Sequence, residues 1–169
     1  PPSHILYSGL TEHQADLLSQ HPTIKSTGRL SSIGTLSDPM MGQRLVKLAV
    51  TDQAYAETVL SLPTTGSLPE QAGQIALDEL TMNSLGVPHQ LGAPVSLQWT
   101  DPQGEQHTDQ FTLCGWWEYD EAIVANHILI PESRADAILT ETGVVPGQTT
   151  DGMTGTYNMD VMLKNGARN

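Results

Sequence analysis

The chain has 169 residues, enough for one domain of ordinary size or for two small subdomains that share a core. Only 15% of the residues are charged, and the apolar residues recur periodically, which is typical of a folded protein. Acidic residues outnumber basic ones by 19 to 7, and the formal charge of -12 repels the phosphates of nucleic acids and anionic lipid head groups, so we expect no nucleic-acid partner.

We expect any export signal or membrane-spanning segment to lie outside these 169 residues. No stretch approaches the roughly 20 apolar residues that cross a bilayer. The first residues, PPSHILYSGL, lack the basic region and the long apolar run of a signal peptide. The single cysteine, Cys114, cannot form an internal disulfide, so cysteine content does not reveal the cellular compartment.

The first third of the chain predicts a strand, a helix and a second strand. HILYS is a short strand, and LTEHQADLLSQHP is a helix with Thr11 as its N-cap, Gln14 completing a capping box and Pro22 ending it. A longer strand, TIKSTGRLSSIGTL, runs into the turn SDPMMGQ. The helix residues expected to face the core are Ala15, Leu17 and Leu18.

The middle of the chain predicts two strand-to-helix units. RLVKLAV is a strand in which Val46, Leu48 and Val50 share a face, and Asp52 caps a helix, AYAETVLSL, that is expected to run to Leu62. QIAL is a second brief strand, after which Asp78 caps the helix ELTMNSL. Gly86 ends that helix in the manner of a left-handed C-cap.

The last half of the chain begins with a hairpin. PVSLQW and HTDQFTLCGW alternate apolar and polar residues and are joined by the turn DPQG. The strand IVANHILI, a helix from Pro131 to Gly143 and a final strand, TYNMDVML, follow. Because helices alternate with strands and hairpins also occur, we expect an α+β fold with a mixed sheet and short helices rather than a doubly wound one.

No familiar catalytic or cofactor motif is present. GxGxxG, GxxxxGK[ST], GxSxG, HExxH and CxxC are all absent, so we expect no cofactor and no catalytic residue. The six histidines are scattered without metal-ligand spacing, so we expect no metal site either. A small hydrolase stays open as an alternative, because Glu118, Asp120 and Glu121 could meet distant acids.

The stretch FTLCGWWEYDEAIV contains two adjacent tryptophans and three acids. If the strand keeps its phase, Trp117 lies on the apolar side with Phe111 and Leu113, and Trp116 lies on the opposite side with Cys114. An exposed aromatic platform and a pair of partly buried rings are both compatible with the pattern.

Residues 64–118 resemble the extracytoplasmic domain of FtsX-like permeases, the MacB-type membrane subunits of ABC transporters, in their Gram-positive form. The family pattern has a G-x-L-P start, a strand such as Q-I-A-L followed by an acid, a helix ending in L-G-V, a second L-G, and a strand ending in G-[YW]-[WY]-E. The matching residues are Gly66, Leu68, Pro69, Gln74 to Asp78, Leu85 to Val87, Leu91, Gly92 and Gly115 to Glu118. Residues 11–65 agree more loosely, and VANHILIPES departs from the pattern.

The resemblance implies a MacB-like core domain outside the cytoplasmic membrane. The expected lobes are a porter-like one, residues 1–62 with 120–169, and a smaller inserted one, residues 63–119. Further extracellular sequence is expected to follow residue 169. The parent permease would be embedded in the membrane and dimeric, and a separate cytoplasmic subunit would bind ATP.

The expected function is non-catalytic. The domain would relay ATP-driven conformational change to an extracytoplasmic substrate or partner, in mechanotransmission or in the export or efflux of peptides, lipoproteins or antimicrobials. The residues expected to contact an extracellular protein or peptide are Trp116, Glu118, Tyr119, Asp120, Asp101 and Glu105. A stand-alone secreted binding module is the alternative reading.

Overall fold

The computed structural model describes residues 4–60, 62–118, 127–143 and 157–164. Short helices and strands alternate in this part of the chain, and the sheet is mixed, so the predicted α+β class is confirmed. The strands are β1 (His4–Leu10), β2 (Ile24–Leu36), β3 (Lys47–Thr51), β4 (Thr65–Gly66), β5 (Gln74–Asp78), β6 (Pro94–Thr100), β7 (Gln106–Trp117), β8 (His127–Leu129) and β9 (Tyr157–Leu163). The helices are α1 (Glu12–Ser19), α2 (Gln53–Thr58), α3 (Glu79–Leu85) and α4 (Glu132–Thr142), with a 3-10 turn at Pro39–Met41.

The described residues divide into two compact units. The first contains residues 4–31, 51–60 and 157–164, and the second contains residues 32–50, 62–118 and 127–143. None of the described helices is long and apolar enough to cross a membrane. The two lobes expected from the sequence, residues 1–62 with 120–169 and residues 63–119, have other boundaries than these units and stay a prediction.

In the first unit, β9 lies between β1 and β2 and is antiparallel to both. The predicted alternation along β9 is confirmed, because Met159, Val161 and Leu163 are buried together with Ala15 of α1. These side chains form the apolar core of the unit.

The start of α1 is confirmed in detail. The backbone N–H of Gln14 donates to the Thr11 hydroxyl oxygen at 3.2 Å, and the backbone N–H of Thr11 donates to the Gln14 side chain at 2.9 Å. The prediction for Leu17 is wrong, since its side chain is 56% exposed. Residues two apart on a helix point to opposite sides, so burying Ala15 turns Leu17 outwards, whereas Leu18 packs against the core.

In the second unit, β8 pairs in parallel with β3 and antiparallel with β5. Strand β7 runs parallel to β5, and both β6 and β4 pair antiparallel with β7. The predicted hairpin is confirmed, with Val95, Leu97 and Trp99 of β6 and Phe111 and Leu113 of β7 buried in the core of this unit. Residues 123–126 of the predicted strand IVANHILI lie outside the described residues.

Helix α2 is shorter than predicted. It begins after the expected cap Asp52, whose carboxylate accepts the backbone N–H of Tyr55 at 2.9 Å, but it ends at Thr58 instead of Leu62. The backbone N–H groups of Val59 and Leu60 both donate to the carbonyl of Tyr55, which closes the last turn. Helices α3 and α4 end as predicted, at the left-handed glycines 86 and 143.

Candidate contact surface

Strand β7 carries a β-bulge within the sequence FTLCGWWE. Leu113 lies opposite Ile75 of β5. Trp116 lies opposite Leu77, two residues further along β5 but three further along β7. Cys114 is therefore the extra residue of the bulge, and its side chain is buried.

The bulge reverses the expected placement of the two tryptophans. Because the extra residue shifts the alternation by one position, Trp116 shares the face of Leu113 and packs against the main core of the second unit. The prediction that Trp117 would take the apolar side and Trp116 the other is therefore wrong. Both rings are half-buried.

Strand β4 pairs antiparallel with the end of β7, and the two backbones approach closely at Gly66 and Gly115. The backbone N–H of Thr64 donates to the carbonyl of Trp116 at 2.9 Å, and that of Ser67 donates to the carbonyl of Cys114 at 3.0 Å. Gly66, in a left-handed conformation with φ of 75°, lies opposite Gly115. A Cβ atom on Gly115 would collide with the Ser67 backbone, so the glycine fixes the distance between β4 and β7.

The ring of Trp116 lies beside His89, which follows α3 in the chain. The His89 ring lies 5.6 Å from the Trp116 ring, centroid to centroid, at a tilt of 40°. The same imidazole lies 3.2 Å from the Asn83 side-chain oxygen and 3.9 Å from the Glu79 carboxylate. Leu91 follows in the chain and is 49% exposed. We call Trp116, Glu118, Glu79, His89 and Leu91 the Trp116 surface.

Asp101 is buried inside the turn of the β6–β7 hairpin, with a side chain that is 2% exposed. Its carboxylate accepts the backbone N–H groups of Gln103 at 2.8 Å and Glu105 at 3.0 Å, and it lies 2.7 Å from Nε2 of His107. Burial raises the pKa of this carboxyl, but the hydrogen bonds from His107, Glu105 and Gln103 outweigh burial and lower the pKa below its ordinary value.

The predicted contact residues fall at two separate places. Asp101 and Glu105 lie in the turn before β7, where Glu105 is exposed, whereas Trp116 and the exposed Glu118 lie at the other end of the strand. The 12 residues of β7 separate these groups by roughly 35 Å. Tyr119 and Asp120 lie outside the described residues.

Sequence reasoning missed a chain of polar contacts that starts on the hairpin. The Trp99 ring nitrogen donates to the Asp109 carboxylate at 2.7 Å, and the Trp99 ring stacks on His107 at 4.5 Å. Arg134 of α4 donates to Asp109 at 3.4 Å and lies 4.5 Å from the centre of the Phe111 ring. Aromatic and charged residues alternating along the two strands are the signal that could have indicated it.

Two buried ionisable groups have strongly shifted pKa values. Burial raises the pKa of the Cys114 thiol to about 11, and the thiol donates to the Ser67 carbonyl at 3.4 Å. Burial, with a smaller effect of the Lys47 charge, lowers the pKa of His127 to about 4. Among the described residues, no group of three or more histidine, cysteine, aspartate or glutamate side chains could hold a metal ion.

No family model and no curated protein matches the sequence of this chain. Solved structures do match its fold. The periplasmic region of MacB from Actinobacillus actinomycetemcomitans is 15% identical, with a TM-score of 0.51, and the match covers 96% of this chain and 68% of that one. A domain of a predicted permease from Porphyromonas gingivalis is 16% identical, with a TM-score of 0.51 and coverage of 95% and 64%.

The extracellular domain of the noncanonic ABC-type transporter YknZ from Gram-positive bacteria is 11% identical, with a TM-score of 0.56, and the match covers 97% of this chain and 85% of that one. All three structures are periplasmic, extracellular or permease domains by description, and the likeness extends over nearly the whole chain. The resemblance seen in the sequence is thus confirmed in three dimensions, and this chain has the fold of the extracytoplasmic domain of MacB-type ABC transporter permeases.

Proposed function

We propose that the chain is the extracytoplasmic domain of an ABC transporter permease subunit, without catalytic activity of its own. The single observation that supports this most is the match of 95% or more of the chain to three such domains. The domain relays ATP-driven conformational change to a substrate or partner outside the membrane, and a separate cytoplasmic subunit binds the ATP. The parent permease is a membrane-embedded dimer.

A relay needs a stiff body and a surface that a partner can contact. The apolar core between the sheet and helices α3 and α4 gives the second unit its stiffness, because close-packed interiors transmit displacement instead of absorbing it. The predicted contact residues supply the surface, with Glu105 at one end of β7 and Trp116 and Glu118 at the other. The Asp101 carboxylate is engaged within the hairpin turn, so its part is to hold the shape of that tip.

The location can be tested in intact cells that express the parent protein. Gln103 is exposed at the hairpin tip and can be replaced by cysteine. A membrane-impermeant maleimide should label this variant without cell lysis. The native Cys114, buried in the bulge, is the internal control and should stay unlabelled until the protein is denatured. Labelling of Gln103→Cys only after lysis would contradict the proposal.

The relay can be tested in the assembled transporter, reconstituted with its ATP-binding subunit. Removing the domain should abolish the extracytoplasmic output. Basal ATP hydrolysis should stay largely intact, because the separate cytoplasmic subunit binds the ATP. Full output from the shortened permease would show that the domain has another function.

A further inference from the structure

The Trp116 surface combines exposed apolar area with acidic side chains. Leu91 is 49% exposed, and the Trp116 ring is half-buried, with one side against the core and His89 nearby. Leu91 reaches the same edge, because its Cδ2 would lie 2.9 Å from a Cβ atom on Gly66, which pairs with Gly115 beside Trp116. Tryptophan is enriched at the centre of protein interfaces.

Acidic groups lie around this apolar area. Glu118 is exposed two residues after Trp116, and the carboxylate of Glu79 lies 3.9 Å from the His89 ring. Glu70 is exposed and lies close enough to the bulge to add, after burial, to the raised pKa of Cys114. The arginines described in this unit are engaged with aspartates, Arg44 with Asp78 and Arg134 with Asp109.

The edge of the sheet beside Trp116 is poorly suited to pairing with an added strand. Among the described strands, β4 is the last one beyond β7, and it contains only Thr65 and Gly66. Pro63 and Pro69 flank it, and proline offers no backbone N–H to a partner. A partner at this edge would therefore bind mainly through side chains.

The charge of the chain selects among the candidate partners. At -12, a second copy of the chain, a nucleic acid and an anionic lipid surface are all repelled. A cationic segment is attracted by the acids, its aliphatic groups can cover Leu91 and Trp116, and its ammonium or guanidinium groups can lie over the tryptophan ring.

We infer that the Trp116 surface binds a cationic amphipathic peptide segment, in which lysine or arginine alternates with aliphatic side chains. The acids around the surface pair with the cations, and Leu91 with Trp116 receives the aliphatic groups. This inference rests on the proposed function, because it names the partner class of a domain proposed to lie outside the membrane.

The test is a calorimetric titration of the 169-residue chain with synthetic peptides. The probe alternates leucine and lysine over about a dozen residues, and two matched peptides carry glutamate in place of lysine or serine in place of leucine. Only the leucine-lysine peptide should bind. Its affinity should fall at least about tenfold when salt rises from about 50 mM to about 500 mM.

Paired variants locate the binding site. The double variant Glu79→Gln/Glu118→Gln and the variant Leu91→Ser should each weaken binding at least about fivefold. Glu57→Gln/Glu141→Gln changes the net charge equally at exposed positions of α2 and α4, and Leu45→Ser removes another exposed leucine, so both should bind like the original chain. Circular dichroism and Tm check that each variant folds.

Several outcomes would overturn the inference. Equal weakening by the two double variants would show that binding depends only on the overall charge of the chain and not on the acids of the Trp116 surface. Normal binding by Leu91→Ser would show that the peptide binds elsewhere than the Trp116 surface. Equal binding of the leucine-glutamate peptide would show that the partner need not be cationic. Concentration-dependent dimerisation that Leu91→Ser abolishes would make a second copy the occupant. Each of these results leaves the maleimide-labelling test of the proposed function untouched.

Discussion

Nε2 of His107 lies 2.7 Å from the carboxylate of Asp101, across the turn that joins β6 to β7. Since the same carboxylate also accepts two backbone N–H groups, one buried side chain organises the whole turn. Replacing Asp101 by alanine leaves these donors without their acceptor and should lower the free energy of unfolding by about 2–3 kcal/mol. Urea unfolding at neutral pH measures the loss.

The exposed neighbour Glu105 supplies the control. Its side chain can be changed to glutamine within the same turn, and the free energy of unfolding should then stay within about 0.5 kcal/mol of the original. The pKa of Asp101 in the folded chain lies below the ordinary 3.8, so its stabilisation is complete above that pH and is lost as pH falls through the folded pKa. Identical acid unfolding of the Asp101→Ala variant and the original chain would contradict this role.

His127 predicts a second pH dependence, in a higher range. Its ring is largely buried, its Nδ1 has no hydrogen-bond partner within the described part of the chain, and its pKa is lowered from 6.5 to about 4. The unfolded chain therefore takes up this proton first as the solution is acidified. The resulting contribution to stability is complete above pH 6.5 and is lost progressively as pH falls to about 4.

Between pH 6.5 and about 4, the fall in the free energy of unfolding should be smaller by about 3 kcal/mol when His127 is replaced by leucine. A difference of one pKa unit corresponds to about 1.4 kcal/mol. Urea unfolding at several pH values between about 7 and about 4 measures the slope for the variant and the original chain. His13→Leu, on the exposed side of α1, should leave the slope unchanged. An equal slope in His127→Leu would show that the ring finds a proton acceptor or water in the folded state.

Local signals in the sequence predicted the local parts of the fold. The caps Thr11, Asp52 and Asp78 all accept backbone N–H groups at the start of their helices, and glycine ends two helices as expected. Capping depends on residues three or four apart, so the sequence contains what is needed to predict it. The alternation in β6, β7 and β9 was equally direct, since one face of each strand is buried.

Long-range contacts decided the rest. The bulge at Cys114 lies where β5 and β4 pair with β7 on its two sides, and those partners come from other parts of the chain. The placement of the tryptophans could not be predicted without that register. The buried carboxylate of Asp101 could have been predicted from the sequence, because D-P-Q-G predicts a turn whose first side chain accepts backbone N–H groups. The contact of Arg134 with Asp109 depends on the docking of α4 and has no signal in the local sequence.

Cys114 should be unreactive in the folded chain. Its thiol is buried and has a pKa of about 11, so at about pH 8 almost no thiolate is present to attack a reagent. We expect a disulfide reagent such as Ellman's to modify it at least about a hundredfold more slowly than in urea-unfolded chain. Fast modification under native conditions would show that the bulge opens readily, and Gln103→Cys gives the rate for an exposed thiol in the same protein.

The close approach of β4 to β7 predicts a strong requirement for glycine at position 115. A Cβ there would meet the backbone of Ser67, which must move away, and β4 would lose its hydrogen bonds to the carbonyls of Cys114 and Trp116. Gly115→Ala should therefore lower the free energy of unfolding by more than about 2 kcal/mol.

Gly73→Ala is the matched control, because a Cβ at position 73 meets no atom and its φ is not in the left-handed region. Removing a glycine there should be neutral or stabilising by up to about 1 kcal/mol. Thermal and urea unfolding compare the two variants, and equal stability would mean that β4 can shift without loss and does not fix the position of Trp116.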